Sequence, residues 1–207
     1  VDFLINHEHL SYPDAIRWLG KKYSIETDMT DFNYTPPPPR PTPPPLKMLV
    51  LPKYIMAKTL LDIEQSTLVR WIRTGINWDP VQRSRIDEVL NHSAVGCSRQ
   101  GMTVFWQMDE KGQLRTGKMM KYRKDGHRDK EDPRAFLWMH TMPEVKMMQK
   151  EGAEYVGCLF GLHQLTKELK EVQLVESEKT AVLMSVFRPD LTWMATMGMG
   201  NLNQYKL

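Results

Sequence analysis

The spacing of hydrophobic positions changes several times along this chain, and each change predicts a different kind of element. Tyr12, Ala15, Ile16, Leu19 and Tyr23 share one helical stripe. Ser11 is placed to cap it, Pro13 sits in its first turn and Asp14 suits the positive helix end, which predicts a helix from about Tyr12 to Lys22. The helical period returns after Pro52 and runs to about His92. Tyr54, Ile55, Leu60 and Leu61 mark one helix, Leu68, Trp71 and Ile72 a second, and Asp79-Pro80 caps a third that carries Val81, Ile86, Val89 and Leu90. From Ala94 the period becomes two. Met102 to Met108 reads as a strand, Asp109 to Gly112 as a tight turn, Gln113 to Arg123 as the return strand and Lys124 to His127 as a second turn. Near the C-terminal end, Val172, Leu174 and Val175 predict a strand. Ala181, Val182, Leu183, Val186 and Phe187 follow at helical spacing, then Leu191 to Thr196 as another strand running into Gly198 and Gly200.

Eight of the ten residues from Pro36 to Pro45 are proline, which forbids regular hydrogen-bonded structure and favours a polyproline spacer of roughly 30 Å. The expected organisation is therefore a terminal helical piece (1–26), a proline-rich linker (27–47), a helical layer with a small antiparallel meander (48–170) and a strand-helix-strand segment (171–207). The fold class is α+β, with the beginning of a parallel α/β sheet at the end.

Composition narrows this little. The chain has 207 residues, 41% of them hydrophobic, enough for a core. Its net charge of +3 and pI near 8.8 are compatible with nucleic acid without requiring it. Cys97 and Cys158 stand about sixty residues apart with no Cys-x-x-Cys spacing, so they read as two buried thiols of a reducing compartment. His7 and His9, an i, i+2 pair without cysteines, read as surface residues. No apolar run approaches the roughly 20 residues that span a bilayer, and no signal-peptide order opens the chain. A cytoplasmic protein without membrane partners is expected. The sequence opens without Met, inside helical pattern, and is expected to be a fragment at both ends.

Two places carry chemistry. Glu176 falls where a strand passes into a helix, and in a parallel sheet that carboxyl edge is where ligands and metals bind. Glu178 and Lys179 follow it; Glu178 reads equally as a second metal ligand and as an acid favoured by the helix dipole. The second place is the return strand, where Arg115, Lys118, Lys121 and Arg123 lie with Tyr122 among them and Arg128 beyond the turn, a composition that can track phosphates and stack a base. Strand parity sets Arg115, Lys121 and Arg123 on one face and Lys118 and Tyr122 on the other, which leaves Lys121, Arg123 and Arg128 as the leading nucleic-acid contacts. Arg70, Arg73, Arg83 and Arg85 read as a solvated helical face.

The phrase VESEKTA, a strand ending in Glu before a helix and a second strand, resembles the opening of a toprim domain, the metal-binding module of bacterial primases and topoisomerases. Three further phrases resemble DnaG-type primases in that family's order. Residues 1–26 are similar to the tail of the zinc-binding domain, Phe105 to Gly112 to a core phrase with Trp106 where the family has Pro, and Cys158 to Leu165 to a Leu-Tyr-Gly-Leu phrase. The chain departs from the pattern at Met102, where the family usually has Arg, and at Thr180, where it has Asp. The family's zinc ligands would lie upstream of residue 1 and its Asp-x-Asp pair beyond Leu207.

The resemblance implies a primase-like protein of DNA replication that binds single-stranded DNA and joins nucleoside triphosphates into RNA primers. Glu176 would be the catalytic, metal-binding carboxylate of a Mg²⁺ (or Mn²⁺) site, Glu178 a further ligand, and Gly198 the turn after the second strand; Zn²⁺ would enter only with upstream ligands. The alternatives are a non-catalytic module of a mobile element that binds DNA or a replicative helicase, and a toprim nuclease.

Overall fold

A computed structural model describes residues 2–25, 47–149, 153–169 and 171–198, and the chain falls into two units, Val1–Pro44 and Pro45–Leu207. The proline-rich stretch and Gly200 lie outside the described residues. In the first unit, α1 (Asp2–His7) is followed by α2 (Tyr12–Tyr23), with Leu4, Ala15 and Gly20 buried. Ser11 caps α2 as its sequence implies, accepting the Asp14 backbone N–H at 3.3 Å, while Arg17 pairs with the Asp14 carboxylate at 2.7 Å. His7 stacks on Phe3.

The second unit opens with β1 (Lys47–Met48), α3 (Lys53–Leu61), α4 (Thr67–Thr74), α5 (Pro80–Ser84) and α6 (Ile86–His92). It continues through β2 (Val95–Cys97), β3 (Thr103–Met108), β4 (Leu114–Met120), β5 (Phe136–Trp138), α7 (Pro143–Lys146) and β6 (Ala153–Glu154). It closes with β7 (Gln173–Val175), α8 (Glu178–Phe187) and β8 (Trp193–Ala195). The fold is α+β. Its centre is a four-stranded antiparallel sheet in the order β2-β3-β4-β5, and β1 pairs with β6 in parallel at one side.

The β3–β4 meander follows the sequence pattern, with a bulge at Gln107/Met108 where the strand meets its turn. Asp109 organises that turn by accepting the backbone N–H groups of Lys111 and Gln113 through its carboxylate. Two edge strands join the expected pair. β2 and β5 have three residues each, too short for an alternating pattern to register. The third expected helix is divided at Arg85, whose backbone N–H turns back to Gln82 and separates α5 from α6.

Both faces of the sheet are covered. Val104, Trp106 and Met119 face Leu51, Leu114, Met139 and Val145. Phe105, Met120 and Tyr122 face Leu68 and Ile72 of α4, Leu90 of α6 and Val182 and Val186 of α8. This second cluster joins residues on both sides of the change in pattern near residue 171. Trp106 is fully buried and donates its indole N–H to Thr59 Oγ1 at 2.8 Å, so the largest core side chain keeps its polar atom satisfied.

The last segment forms a strand-helix-strand unit in which β7 and β8 pair in parallel, with Leu174 opposite Met194. Among the described residues the parallel sheet goes no further than this pair. Phe160 adds an antiparallel bridge to Ala195, exchanging backbone hydrogen bonds at 3.0 Å in both directions. Gly161 then turns away at φ +86, so close to the Trp193 carbonyl that a Cβ would stand 2.9 Å from its oxygen.

Candidate functional site: a cationic cleft at the end of β7

The chain leaves β7 at Glu176 and enters α8 at once, because Ser177 caps the helix by accepting the Thr180 backbone N–H. The parallel ladder continues one step past the strands, with Met197 donating its N–H to the Glu176 carbonyl at 2.9 Å. These bonds hold the Glu176 backbone while its side chain stays exposed at the carboxyl end of the strand. Gly198 follows at φ +129.

A cleft of about 280 Å³ opens there. Seven of the residues singled out in the sequence meet in its walls: Lys118, Tyr122, Arg128, Glu176, Glu178, Lys179 and Gly198. Their states differ. Glu178 is buried, with Lys118 Nζ 2.9 Å from one carboxylate oxygen and 3.0 Å from the other. Lys118 reaches it from β4 and also lies over the Phe136 ring. Lys179 donates to the Gly126 carbonyl at 3.0 Å and lies over the rings of Trp71 and Tyr122. It ties the first turn of α8 to the Arg123–Arg128 hairpin. Arg128 is exposed, with its guanidinium 5.9 Å from the centre of Phe136. Tyr122 is buried in the cleft wall, and burial, followed by the nearby Glu178 carboxylate, pushes its hydroxyl well above the ordinary tyrosine range.

The remaining basic candidates lie elsewhere. Arg115 is 4% exposed and directed inward, donating to the Val156 carbonyl and lying 3.8 Å from Asp109. Lys121 pairs with Asp132 at 2.8 Å and with Asp129 at 3.5 Å, and Asp132 holds its ammonium above the usual lysine range. Arg123 is exposed and forks onto Asp125 two residues away. The basic strand is therefore split between interior, cleft and loop instead of forming one track.

Two contributors escaped the sequence reading. Trp71 receives the hairpin tip, because Gly126 at φ +77 packs its bare Cα on the indole. Phe136 of β5 lies under the Lys118 and Arg128 cations of the cleft wall; the alternation Phe136-x-Trp138-x-His140 was the available signal, hidden by the shortness of the strand.

As a magnesium site the described residues fit only partly. Glu176 presents an exposed carboxylate, but the Glu178 carboxylate is committed to Lys118, and no group of three acidic, His or Cys side chains suited to a cation occurs among the described residues. Magnesium is commonly held by one or two carboxylates together with substrate phosphates, so Glu176 would be one such ligand and the phosphates would have to supply others.

A four-stranded antiparallel sheet sharing its core with a parallel strand-helix-strand unit, with a cationic cleft at that unit's carboxyl edge, defines an α+β domain with its candidate site at a strand-to-helix junction. The chain belongs to the family described as Domain of unknown function (DUF6371), whose profile matches residues 66–207, from the N-cap of α4 onward and including every residue of the cleft. No curated protein and no solved structure matches it. No helix among the described residues is long and apolar enough to cross a membrane.

Proposed function

We propose that this chain is part of a primase-like protein of DNA replication that binds single-stranded DNA and uses nucleoside triphosphates at a toprim-type site marked by Glu176. The observation that carries this reading is an exposed carboxylate at the end of the first strand of a parallel strand-helix-strand unit, lining a cleft that the exposed Arg128 also lines. Strand-end carboxylates of this kind suit a cation that orients phosphates, and a cleft with excess cations suits the phosphates themselves.

The commitment of Glu178 to Lys118 favours a second reading, a module that binds single-stranded DNA or a replicative helicase without forming phosphodiester bonds. One pair of measurements separates the two. Fluorescence anisotropy with a labelled single strand at low salt reports binding, and incorporation of labelled nucleoside triphosphates on that template, with Mg²⁺ or Mn²⁺, reports synthesis. Binding with incorporation that Glu176→Gln abolishes supports the enzyme. In the full-length protein, binding without incorporation supports the module, and absence of binding removes the enzyme and the DNA-binding form of the module.

A further inference from the structure

We infer that the face of the sheet opposite the Glu176 cleft carries a second site, a methionine-lined cavity that takes a purine base, guanine in preference to adenine. The two sites share no lining residue, so this inference stands apart from the reading given for the cleft.

The alternation of β4 separates them. Met120 lines the cleft, while its neighbour Met119 belongs to the opposite core cluster and lines a cavity of about 320 Å³. That volume lies at the small end of ligand pockets and suits a fused ring with its sugar better than a lipid chain or a helix. One side of the cavity is a single helical face, because Ile55, Lys58 and Thr59 of α3 and Asp62 just beyond it fall at i, i+3, i+4 and i+7. The rest comes from α7 with the residues before it and from the end of β2 with its turn.

These sides are set before any ligand arrives. Thr59 donates to the Met56 carbonyl at 2.8 Å, and Gly96 of β2 lies so close that a Cβ would stand 2.4 Å from the Thr59 hydroxyl oxygen. Across the cavity, the Tyr155 hydroxyl donates to the Val145 carbonyl of α7 at 2.8 Å. A preformed site loses little freedom on binding.

The buried lining is apolar and rich in sulfur. Met119, Met139 and Cys97 are buried and Met142 is half-buried, and thioethers adapt well to aromatic rings. The outer lining is charged. Lys58, Arg99 and Glu144 are exposed and Asp62 is half-buried, and none of these four is in an ion pair among the described residues. A purely apolar ligand would desolvate these charges and return nothing. An anion alone would be attracted by Lys58 and Arg99 and repelled by Asp62 and Glu144. An aromatic amino acid gathers both its charges on one carbon, whereas the charges here come separately from α3, α7 and the turn after β2. A purine offers apolar faces to the thioethers and a polar edge around the ring. Guanine matches best, since its O6 and N7 accept from Arg or Lys and its exocyclic amino group donates to a carboxylate.

The test is NMR of the chain with labelled methionine methyl groups, titrated with guanosine. The signals of Met119, Met139 and Met142, assigned through Met119→Leu, Met139→Leu and Met142→Leu, should shift by ring current, and that of the exposed Met147, outside the lining, should not. Glu144→Gln and Arg99→Gln should leave the melting temperature unchanged and each weaken guanosine binding by about fivefold or more. Adenosine should bind about tenfold less tightly than guanosine. Glu176→Gln should change none of this, which separates the site from the cleft. Guanosine monophosphate and a guanine-containing single strand distinguish the source of the base, the tighter of the two marking a free nucleotide or a nucleic-acid strand. The site is overturned if the three methyl signals stay still up to the solubility limit of guanosine, or if both outer-lining variants bind it as tightly as the parent chain. Equal or tighter binding of L-tryptophan, or of adenosine, overturns the guanine assignment.

Discussion

Lys118 of β4 and Glu178 of α8 meet 60 residues apart in sequence with the ammonium within 3.0 Å of both carboxylate oxygens, and the Glu178 side chain is 2% exposed. Both charges were withdrawn from water to make this pair, so the loss of one strands the other. Lys118→Met alone should cost roughly 3–5 kcal/mol, whereas Lys118→Met with Glu178→Leu should recover most of it. Urea denaturation of the two variants measures the difference. Equal destabilisation by the single and double changes would mean that the pair is not the connection between sheet and helix described here.

Glu176, two residues earlier, should behave oppositely. Its side chain is exposed, so Glu176→Gln should leave stability within about 0.5 kcal/mol while removing any magnesium-dependent gain in nucleotide binding or primer synthesis. Isothermal titration with and without Mg²⁺ checks this. A magnesium effect that survives the substitution would place the cation elsewhere.

Gly126→Ala should be costly for two reasons. The residue sits at φ +77, and a Cβ would run into the Trp71 ring. An alanine there should lower stability by more than about 1 kcal/mol and shift Trp71 fluorescence as the hairpin lifts. An unchanged melting temperature would contradict the packing.

Stability should fall as the solution is acidified from pH 7.5 to 5.5. Burial holds the His140 and His163 imidazoles below their ordinary pKa. In this window the unfolded chain takes up protons that the folded chain refuses. The contribution is therefore complete above about pH 6.5 and is lost as pH drops toward the folded-state pKa values. Urea midpoints should follow that sign, and His140→Gln with His163→Gln should flatten the profile.

The two thiols should be inert in the folded protein. Burial pushes Cys97 up to about 11 and Cys158 up to about 12, so neither carries appreciable thiolate at pH 8. Iodoacetamide followed by intact-mass measurement should find no alkylation until denaturant is added.

Legibility in the sequence followed how local the signal was. The cap at Ser11, the β3–β4 meander and the strand-helix-strand at Glu176 are written in neighbouring residues, and each appears in the fold. The cleft was half legible. Glu176, Glu178 and Lys179 could be found by position, and Lys118 and Arg128 by charge, but that Lys118 would neutralise Glu178 depends on the register of β4 against a helix formed much later in the chain. Arg115 shows the same limit, since one more basic residue in a basic strand gives no sign that its guanidinium turns inward to Val156. β2 and β5 were invisible because three residues cannot establish a period.

Phe160 exchanges both backbone hydrogen bonds with Ala195 and sets its ring edge-on to Phe105 at 5.6 Å. One residue thus serves as an extra strand for the parallel pair and as core for the antiparallel sheet. The strand-helix-strand segment is therefore not a transplantable cassette. Cut at the change in sequence pattern, it would carry away β8 without the neighbour that completes its hydrogen bonding, and it would strip Val182 and Val186 from the core they share with Phe105. Any graft or chimera that keeps the Glu176 site must take its partner residues from the earlier part of the chain as well.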